Sequence, residues 1–231
     1  MSASSSVRPA GLVVAVDGTS GSGKSSTSRG VADRLGLRYL DTGAMFRAIT
    51  WWMLRHGVDV HDPAAVAARA AEPDLASGTD PQAPTITVDG TDVATAIRAD
   101  DVNAAVSPVS AVPEVRARLL ALQREVIAGE PAGIVVEGRD IGSVVVPDAP
   151  VKVYLSADPS ARAERRAAEA GAEDVEATRA SLLARDRIDS GRATAPLTMA
   201  DGAVHIDTTG YTLDEVIGLV VSLVEDAGAR T

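Results

Sequence analysis

The chain contains no cysteine, few aromatic residues and almost no lysine. The absence of cysteine among its 231 residues excludes disulfides, thiolate catalysis and cysteine-ligated zinc, and it fits a reducing compartment. Aromatic residues make up 3% of the chain, so the core must be built from Val, Leu, Ile and Ala. We therefore expect a cytoplasmic protein with an aliphatic core.

Basic residues are outnumbered by acidic ones, and no block of consecutive basic residues occurs. The chain has 22 Lys and Arg against 32 Asp and Glu, a net charge of −10. Because duplex binding requires a basic surface that releases counterions, we predict no nucleic-acid partner. No segment approaches the roughly 20 apolar residues that span a bilayer, which predicts no membrane partner. Residues 1–10 are rich in serine without an apolar stretch, and we expect a disordered tail rather than a signal peptide.

A glycine-rich loop near the N-terminus fits the pattern G-x-x-x-x-G-K-[ST]. An apolar, β-branched run at residues 11–16 predicts a buried strand before it, and residues 26–35 predict a helix after it. Glycines let the backbone N–H groups surround a phosphate at a helix N-terminus, while the lysine reaches the β- and γ-phosphates and the serine hydroxyl holds Mg²⁺. The pattern predicts an ATP site at Gly18, Thr19, Ser20, Gly21, Ser22, Gly23, Lys24, Ser25 and Ser26, with Ser25 as the Mg²⁺ ligand and Asp41 as a further candidate.

Short apolar runs alternate with helical patterns along the rest of the chain, which indicates an α/β fold with a parallel sheet. The further predicted strands are 38–40, 133–136, 151–155 and 203–206. The predicted helices are 44–56, capped by Thr42, then 113–128, 159–170, 175–187 and 213–227. Between residues 58 and 112 prolines interrupt the pattern, and Asp89-Gly90 between two β-branched runs predicts a hairpin in an inserted subdomain. Residues 160–192 are rich in arginine and predict a helical lid.

A phosphate loop does not by itself name a reaction. A GTPase is disfavoured because its Asn-Lys-x-Asp motif is missing: the only lysine outside the loop is Lys152, which follows Val151. No apolar strand ends in the Asp-Glu pair of a motor ATPase. Small-molecule kinases remain, and a phosphate-bearing acceptor would require several arginines.

Those arginines occur in clusters with carboxylates, each of which alone also fits an ordinary surface ion pair. Arg47 lies in the helix after Thr42, able to face an anion near the loop. Residues 137–140, EGRD, follow a predicted strand at the sheet edge where ligands bind, and the glycine predicts a tight turn that exposes the side chains of Arg139 and Asp140. Residues 185, 189 and 192 would share one helix face. The clusters are Thr42 and Arg47; Arg139 and Asp140; Arg185, Asp189 and Arg192; and the lid arginines Arg162, Arg165 and Arg166.

Taken together and in this order, the motifs resemble those of bacterial cytidylate kinases. The resemblance runs from about residue 12 to 224, and rests on GTSGSGKSS, DTGAMFR, SPVSAVPEVRARLLALQR, EGRDIGSVV-PDA and RDRIDSGRATAPL. Phe46 and Ser143 depart from the usual Tyr and Thr, and Ser25-Ser26 in the loop is a third mild departure. The resemblance implies a P-loop NTPase core with a five-stranded parallel sheet flanked by helices. It also implies an inserted, hairpin-containing NMP-binding subdomain (58–112) and a helical lid (159–192), the core being 11–57, 113–158 and 193–231.

The same resemblance implies a function and roles for single residues. The chain would transfer the γ-phosphoryl group of ATP to CMP or dCMP with Mg²⁺, as a monomer. Ser107, Arg116 and Asp140 would read the cytosine; a carboxylate suits its N4 amino donor and rejects uracil, which offers an acceptor there. The other CMP-binding residues would be Thr42, Arg47, Arg139, Arg185, Asp189 and Arg192, and Lys24, Arg162 and Arg166 would be catalytic. A kinase of the same fold that acts on AMP, UMP or a shikimate-like acceptor, or an ATP-binding module without turnover, stays open as an alternative.

Overall fold

The computed structural model describes residues 11–170, 174–192 and 195–228, so the predicted tail at residues 1–10 lies outside the described residues. In the described parts the strands are β1 (Val13–Gly18), β2 (Arg38–Asp41), β3 (Leu75–Ser77), β4 (Ile86–Val88), β5 (Thr91–Asp92), β6 (Ile134–Gly138), β7 (Val151–Ser156) and β8 (Val204–Asp207). The α-helices are α1 (Lys24–Leu35), α2 (Thr42–Arg55), α3 (Pro63–Arg69), α4 (Asp100–Ala111), α5 (Pro113–Ala128), α6 (Pro159–Ala170), α7 (Val175–Ser190) and α8 (Leu213–Gly228).

Five strands form the predicted parallel sheet, and the structure shows their order to be β2-β6-β1-β7-β8. Alternate residues of β1 enter two separate apolar clusters: Val13 and Ala15 join one, and Val14 and Val16 join the other. The first cluster includes α2 and α5, and the second includes α1 and α8. Because both faces are covered, the central strands are continuous apolar runs rather than alternating ones.

The segment 58–112 contains more regular structure than the predicted hairpin. The hairpin β4–β5 forms around Asp89 and Gly90, whose φ angles of 50° and 74° match the turn expected from these residues. A third strand, β3, pairs antiparallel with β4. Helix α4 was not predicted, although its buried residues Val102, Ala105, Val106 and Val109 follow helical spacing. The prolines obscured this signal, since one of them, Pro108, lies inside the helix itself.

Residues from this segment pack in the same apolar cluster as the sheet. Val66 and Ile97 belong to the cluster that contains Leu40 of β2 and Val136 of β6. The segment is therefore attached to the sheet through a shared core, and the boundaries predicted for the insert and the lid stay predictions.

Two predicted helix starts were wrong. Helix α1 begins at Lys24 rather than at residue 26, because Gly23 with φ 86° turns the chain directly into the helix. Thr42 was predicted to cap α2, but the cap is Asp41, whose carboxylate accepts a hydrogen bond from the backbone N–H of Ala44 at 2.9 Å. Thr42 is instead the first helical residue, and its hydroxyl donates to the carbonyl of Glu137 at 2.7 Å.

Candidate active site

The phosphate loop connects β1 to α1 at the carboxyl end of the sheet. A Cβ on Gly18 would lie 2.0 Å from the carbonyl oxygen of Leu155 in β7, so only glycine fits where these two strands meet. The left-handed φ at Gly23 then aims the first turn of α1 at the loop. The loop is thus built as the sequence predicts, with its N–H groups at a helix N-terminus.

Lys24 and Ser25, the first two residues of α1, lie beside a buried carboxylate. The Lys24 ammonium donates to the Thr19 carbonyl at 2.7 Å, and burial together with the nearby Arg139 lowers its pKa. The Ser25 hydroxyl donates to Glu137 at 3.0 Å, and the Tyr39 hydroxyl donates to the other oxygen of the same carboxylate. Burial, and then the charge of Asp41, raise the pKa of Glu137.

Glu137 is a functional candidate that the sequence prediction missed. The available signal was its position at the end of a buried strand, next to the predicted Arg139 and Asp140. The Ser25 hydroxyl and a carboxylate together offer oxygen donors of the kind Mg²⁺ takes alongside water and phosphate oxygens. The described residues contain no group of three or more His, Cys, Asp or Glu side chains that could bind a metal ion by themselves. These residues therefore fit a Mg²⁺ ion that arrives with a nucleotide.

The three predicted base-reading residues lie together, on α4, on α5 and after β6. Ser107, Arg116 and Asp140 are 4%, 8% and 6% exposed. Arg116 pairs with the Asp140 carboxylate, donates to the Ser110 carbonyl at 3.1 Å, and places its guanidinium 5.3 Å from the centre of the Phe46 ring. Burial raises the pKa of Asp140, and Arg116 opposes that rise. Arg116 and Asp140 thus form a fixed ion pair, whose carboxylate can accept a further hydrogen bond.

The turn after β6 directs Arg139 and Asp140 into the cleft, where Arg139 is half-buried and Asp140 is buried, so the predicted exposure was wrong for Asp140. A Cβ on Gly138 would lie 2.6 Å from Ile141 Cδ1 and from the Thr42 hydroxyl, so this glycine serves close packing. The Arg139 guanidinium reaches the Asp189 carboxylate at 2.8 Å, the Gly18 carbonyl at 3.0 Å and the Ser20 hydroxyl at 2.6 Å. Arg139 therefore joins the phosphate loop to α7.

Arg185, Asp189 and Arg192 converge, but not on one helix face as predicted. Helix α7 ends at Ser190, with Gly191 as its C-terminal cap, because glycine disfavours continuation of the helix. Arg192 therefore folds back, and its Nε donates to the Asp189 carbonyl at 3.2 Å. Its Nη1 lies 3.4 Å from the Ser110 hydroxyl, beside the base-reading residues.

Two half-buried arginines of this region have neighbours of the same charge. Arg47 donates to the Asn103 side-chain oxygen at 2.6 Å and to the Ile97 carbonyl at 3.2 Å, both uncharged acceptors. Burial, and then the guanidinium groups of Arg185 and Arg166, lower the pKa of Arg47 to about 9. Burial and the neighbouring Arg139 lower the pKa of Arg185 to about 10. Such a concentration of positive charge favours an anionic ligand.

The two lid arginines assigned to catalysis lie in different places. Arg166 lines the cleft itself. Arg162 is 4% exposed, donates to the Ser20 carbonyl at 2.9 Å and pairs with Asp186. Arg165, also of α6, donates to the Thr208 carbonyl at 2.7 Å, and the Thr208 hydroxyl donates to the carbonyl of Ser22 in the phosphate loop at 3.1 Å.

All nine predicted CMP-binding residues line one cleft of about 1050 Å³. The same cleft is lined by six of the nine predicted ATP-binding residues, namely Ser20, Gly21, Gly23, Lys24, Ser25 and Ser26, and by Glu137. A volume of this size accommodates ligands of nucleotide dimensions. In the described residues no helix is long and apolar enough to cross a membrane.

A family model and individual related sequences indicate the same family for this chain. The family described as "Cytidylate kinase" matches residues 14–226. The chain is 58% identical over 218 residues to a cytidylate kinase of Streptomyces avermitilis, covering 94% of each chain, and 52% identical over 219 residues to one of Rhodococcus jostii, covering 93% of this chain and 95% of that protein. An uncharacterized protein from Eubacterium ventriosum, of known crystal structure, shares the fold at a TM-score of 0.51 and 10% identity, covering 93% of this chain and 98% of that one. With its phosphate loop, arginine-lined cleft and extent of similarity, the chain belongs to the cytidylate kinase family.

Proposed function

We propose that this chain transfers the γ-phosphoryl group of ATP to the phosphate of CMP or dCMP, which gives CDP or dCDP and ADP. The observation that carries the proposal is the one cleft that holds Ser107, Arg116 and Asp140 together with residues of the phosphate loop and several half-buried arginines. Family membership supports the same reaction.

CMP enters the part of the cleft formed by α4, α5 and the turn after β6. The Asp140 carboxylate accepts a hydrogen bond from the N4 amino group, while Arg116 and Ser107 donate to the N3 and O2 acceptors of cytosine. Because Asp140 is already paired with Arg116, the acceptor is fixed in place before the base arrives. Uracil would present an acceptor to this carboxylate, so that two acceptors would face each other without a hydrogen bond, which costs binding energy.

The phosphate of CMP is held by three arginines of the cleft. Arg47, Arg139 and Arg192 bind its oxygens, while Arg185 and Asp189 contact the ribose and reach towards the phosphates. Thr42 completes this wall of the cleft. The binding of an anion relieves the repulsion between Arg47 and its cationic neighbours.

Catalysis needs no general base, because a phosphate oxygen of CMP is already a nucleophile. We assign the transfer to positioning and to charge stabilisation, with Lys24, Arg162 and Arg166 facing the charge on the transferring oxygens. Ser25 would hold Mg²⁺, with Glu137 as the nearest carboxylate, and the ion would neutralise phosphate charge. Closure of the arginine-rich lid excludes water and thereby suppresses ATP hydrolysis.

An ADP-release assay with competing acceptors tests this proposal. Purified protein is mixed with ATP, Mg²⁺ and either CMP, dCMP, UMP, AMP or no acceptor. CMP or dCMP is expected to support turnover well above all other conditions. A preference for AMP or UMP would show that the protein is a kinase of the same fold with another acceptor. ATP binding without acceptor-dependent ADP release would indicate an ATP-binding module without turnover. The cytoplasmic location and the monomeric state stay predictions; gel filtration tests the latter.

A further inference from the structure

Ser20, in the middle of the phosphate loop, is held by the lid through both of its backbone polar groups. Its N–H donates to the Asp186 carboxylate at 2.9 Å, and its carbonyl accepts from the Arg162 guanidinium at 2.9 Å. Asp186 and Arg162 also pair with each other. One residue of the loop, one of α6 and one of α7 therefore form a closed ring of hydrogen bonds.

The base of the lid packs directly against the neighbouring glycine of the loop. A Cβ on Gly21 would lie 3.2 Å from the Cβ of Arg162 and 3.5 Å from a methyl group of Leu182. Side-chain exposures are 5% for Arg162 and 13% for Asp186, so water has little access to the pair. The ring is thus part of a packed contact between lid and loop.

Arg162 retains an unused donor in this arrangement. Its Nη1 supplies both bonds, to Asp186 and to the Ser20 carbonyl. Its Nε is buried and has no hydrogen-bond partner among the residues that the structure describes. A buried donor without a partner is costly, so an anionic oxygen that reached this N–H would satisfy it.

We propose that Asp186 is a positioning residue for phosphoryl transfer, acting through Arg162. It fixes the guanidinium against Ser20, so that the orientation of Arg162 relative to the phosphate loop is set before the substrates bind. The inference rests on the proposed function, since it requires Arg162 to stabilise the transferring group. A buried ion pair adds little to stability compared with apolar residues of the same size, which favours alignment as the role of this one.

The first test compares Asp186→Asn and Asp186→Ala with the wild-type enzyme. We expect kcat to fall by about 10- to 100-fold in the alanine variant, because small misplacements of catalytic groups cost up to that much. The asparagine variant keeps the size and one acceptor, so it should lose less. The KM for CMP should stay within about threefold, since only transition-state interactions are weakened. Glu176→Gln is the matched control: Glu176 lies on the same helix in an exposed pair with Arg179, and its loss should leave kcat unchanged.

A double-mutant cycle decides whether Asp186 acts through Arg162. Combined with Arg162→Ala, the Asp186→Ala change should lower kcat much less than it does alone, because the group it aligns is already gone and only its bond to the Ser20 N–H remains to be lost. Losses that multiply, an unchanged kcat in Asp186→Ala, or a loss of kcat that tracks melting temperature across all variants would overturn the inference. If wild-type protein shows no CMP-dependent ADP release, the proposed function fails instead, so the two failures are distinguishable.

Discussion

At the scale of single residues, the cleft contains half-buried arginines that lie close to other guanidinium groups. In the part of the chain that the structure describes, Arg47 donates to uncharged oxygens, and the charges of Arg185 and Arg166 affect its pKa more than that of Asp41 does. In a folded protein such an arrangement costs stability unless a ligand supplies the missing charge. The structure thus exchanges stability of the free protein for affinity towards an anion.

Replacing Arg47 should separate these two effects. In Arg47→Gln we expect the KM for CMP to rise by about 10- to 100-fold, since a hydrogen bond to a charged group contributes about 1.5–3 kcal/mol. The melting temperature of the free protein should stay equal or increase, because repulsion is relieved. Arg55→Gln on the same helix is the control, as its side chain is exposed and stacks over Trp51. A large loss of stability with unchanged KM would refute the phosphate-binding role.

Asp140 should determine the choice between cytosine and uracil. In Asp140→Ala we expect kcat/KM for CMP to fall by at least about 100-fold, because the N4 donor loses its acceptor and Arg116 loses its partner. The value for UMP should fall much less. Steady-state kinetics with both acceptors measures this difference, and equal losses would contradict the base-reading role.

The acid limb of the pH profile provides an independent check of the same carboxylate. Burial raises the pKa of Asp140, so as the pH falls its acceptor form is lost at a higher pH than for an ordinary aspartate. We expect the kcat/KM for CMP to decline towards acidic pH earlier in the wild-type enzyme than in Asp140→Asn, which has no group to titrate there. Coincident acid limbs in the two profiles would rule out this assignment.

At the scale of elements, the hairpin β4–β5 attaches the 58–112 segment to α2. One Asp89 carboxylate oxygen accepts from the Trp52 indole N–H at 2.8 Å, and the other accepts from the Asp74 N–H at 2.8 Å. Gly90 follows with a left-handed φ of 74°, and nothing lies within 4 Å of where its Cβ would be. The only obstacle to a side chain at Gly90 is therefore the backbone conformation.

Comparing alanine substitutions at Gly90 and Gly210 measures how much the left-handed backbone conformation at Gly90 contributes to stability. Gly90→Ala should lower the free energy of unfolding by about 1–2 kcal/mol, the cost of a left-handed alanine. Gly210→Ala also enters open space, but without a left-handed φ, and should change stability by less than about 1 kcal/mol. Urea denaturation measures both variants. If the Gly90→Ala and Gly210→Ala variants were equally stable, the hairpin turn would not be conformationally restricted in solution.

At the scale of the whole molecule, the cleft joins the parallel sheet, the 58–112 segment and the lid helices. A ligand that contacts all three should stabilise the entire folded chain by mass action. CMP at 100 times its Kd adds about 2.7 kcal/mol. For a chain of this length that corresponds to a rise in melting temperature of about 5–11 °C. Differential scanning fluorimetry measures the shift, with UMP at the same concentration as control; equal shifts for both would argue against selective recognition.

Local patterns determined the elements and the phosphate loop. The strand–loop–helix unit around Lys24 was predictable because glycines, an apolar run and a lysine act over fewer than 25 residues. The paired strands of the hairpin followed from Asp89-Gly90, and α5 and α6 have the predicted boundaries. Helix α4 was not predicted because the proline inside it masked its apolar spacing. Helices α1 and α2 each begin two residues earlier than predicted, directly after Gly23 and Asp41.

Thus the sequence alone determined the α/β sheet and the phosphate loop, since both depend on short-range spacing and on residue chemistry. Only the tertiary structure decided which side chains distant in sequence contact each other. It placed Glu137 against Ser25, turned Arg192 back across the end of α7, and brought Asp186 and Arg162 to Ser20 from more than 140 positions away. Such pairings depend on how helices and strands pack in space, and no periodicity along the chain encodes them.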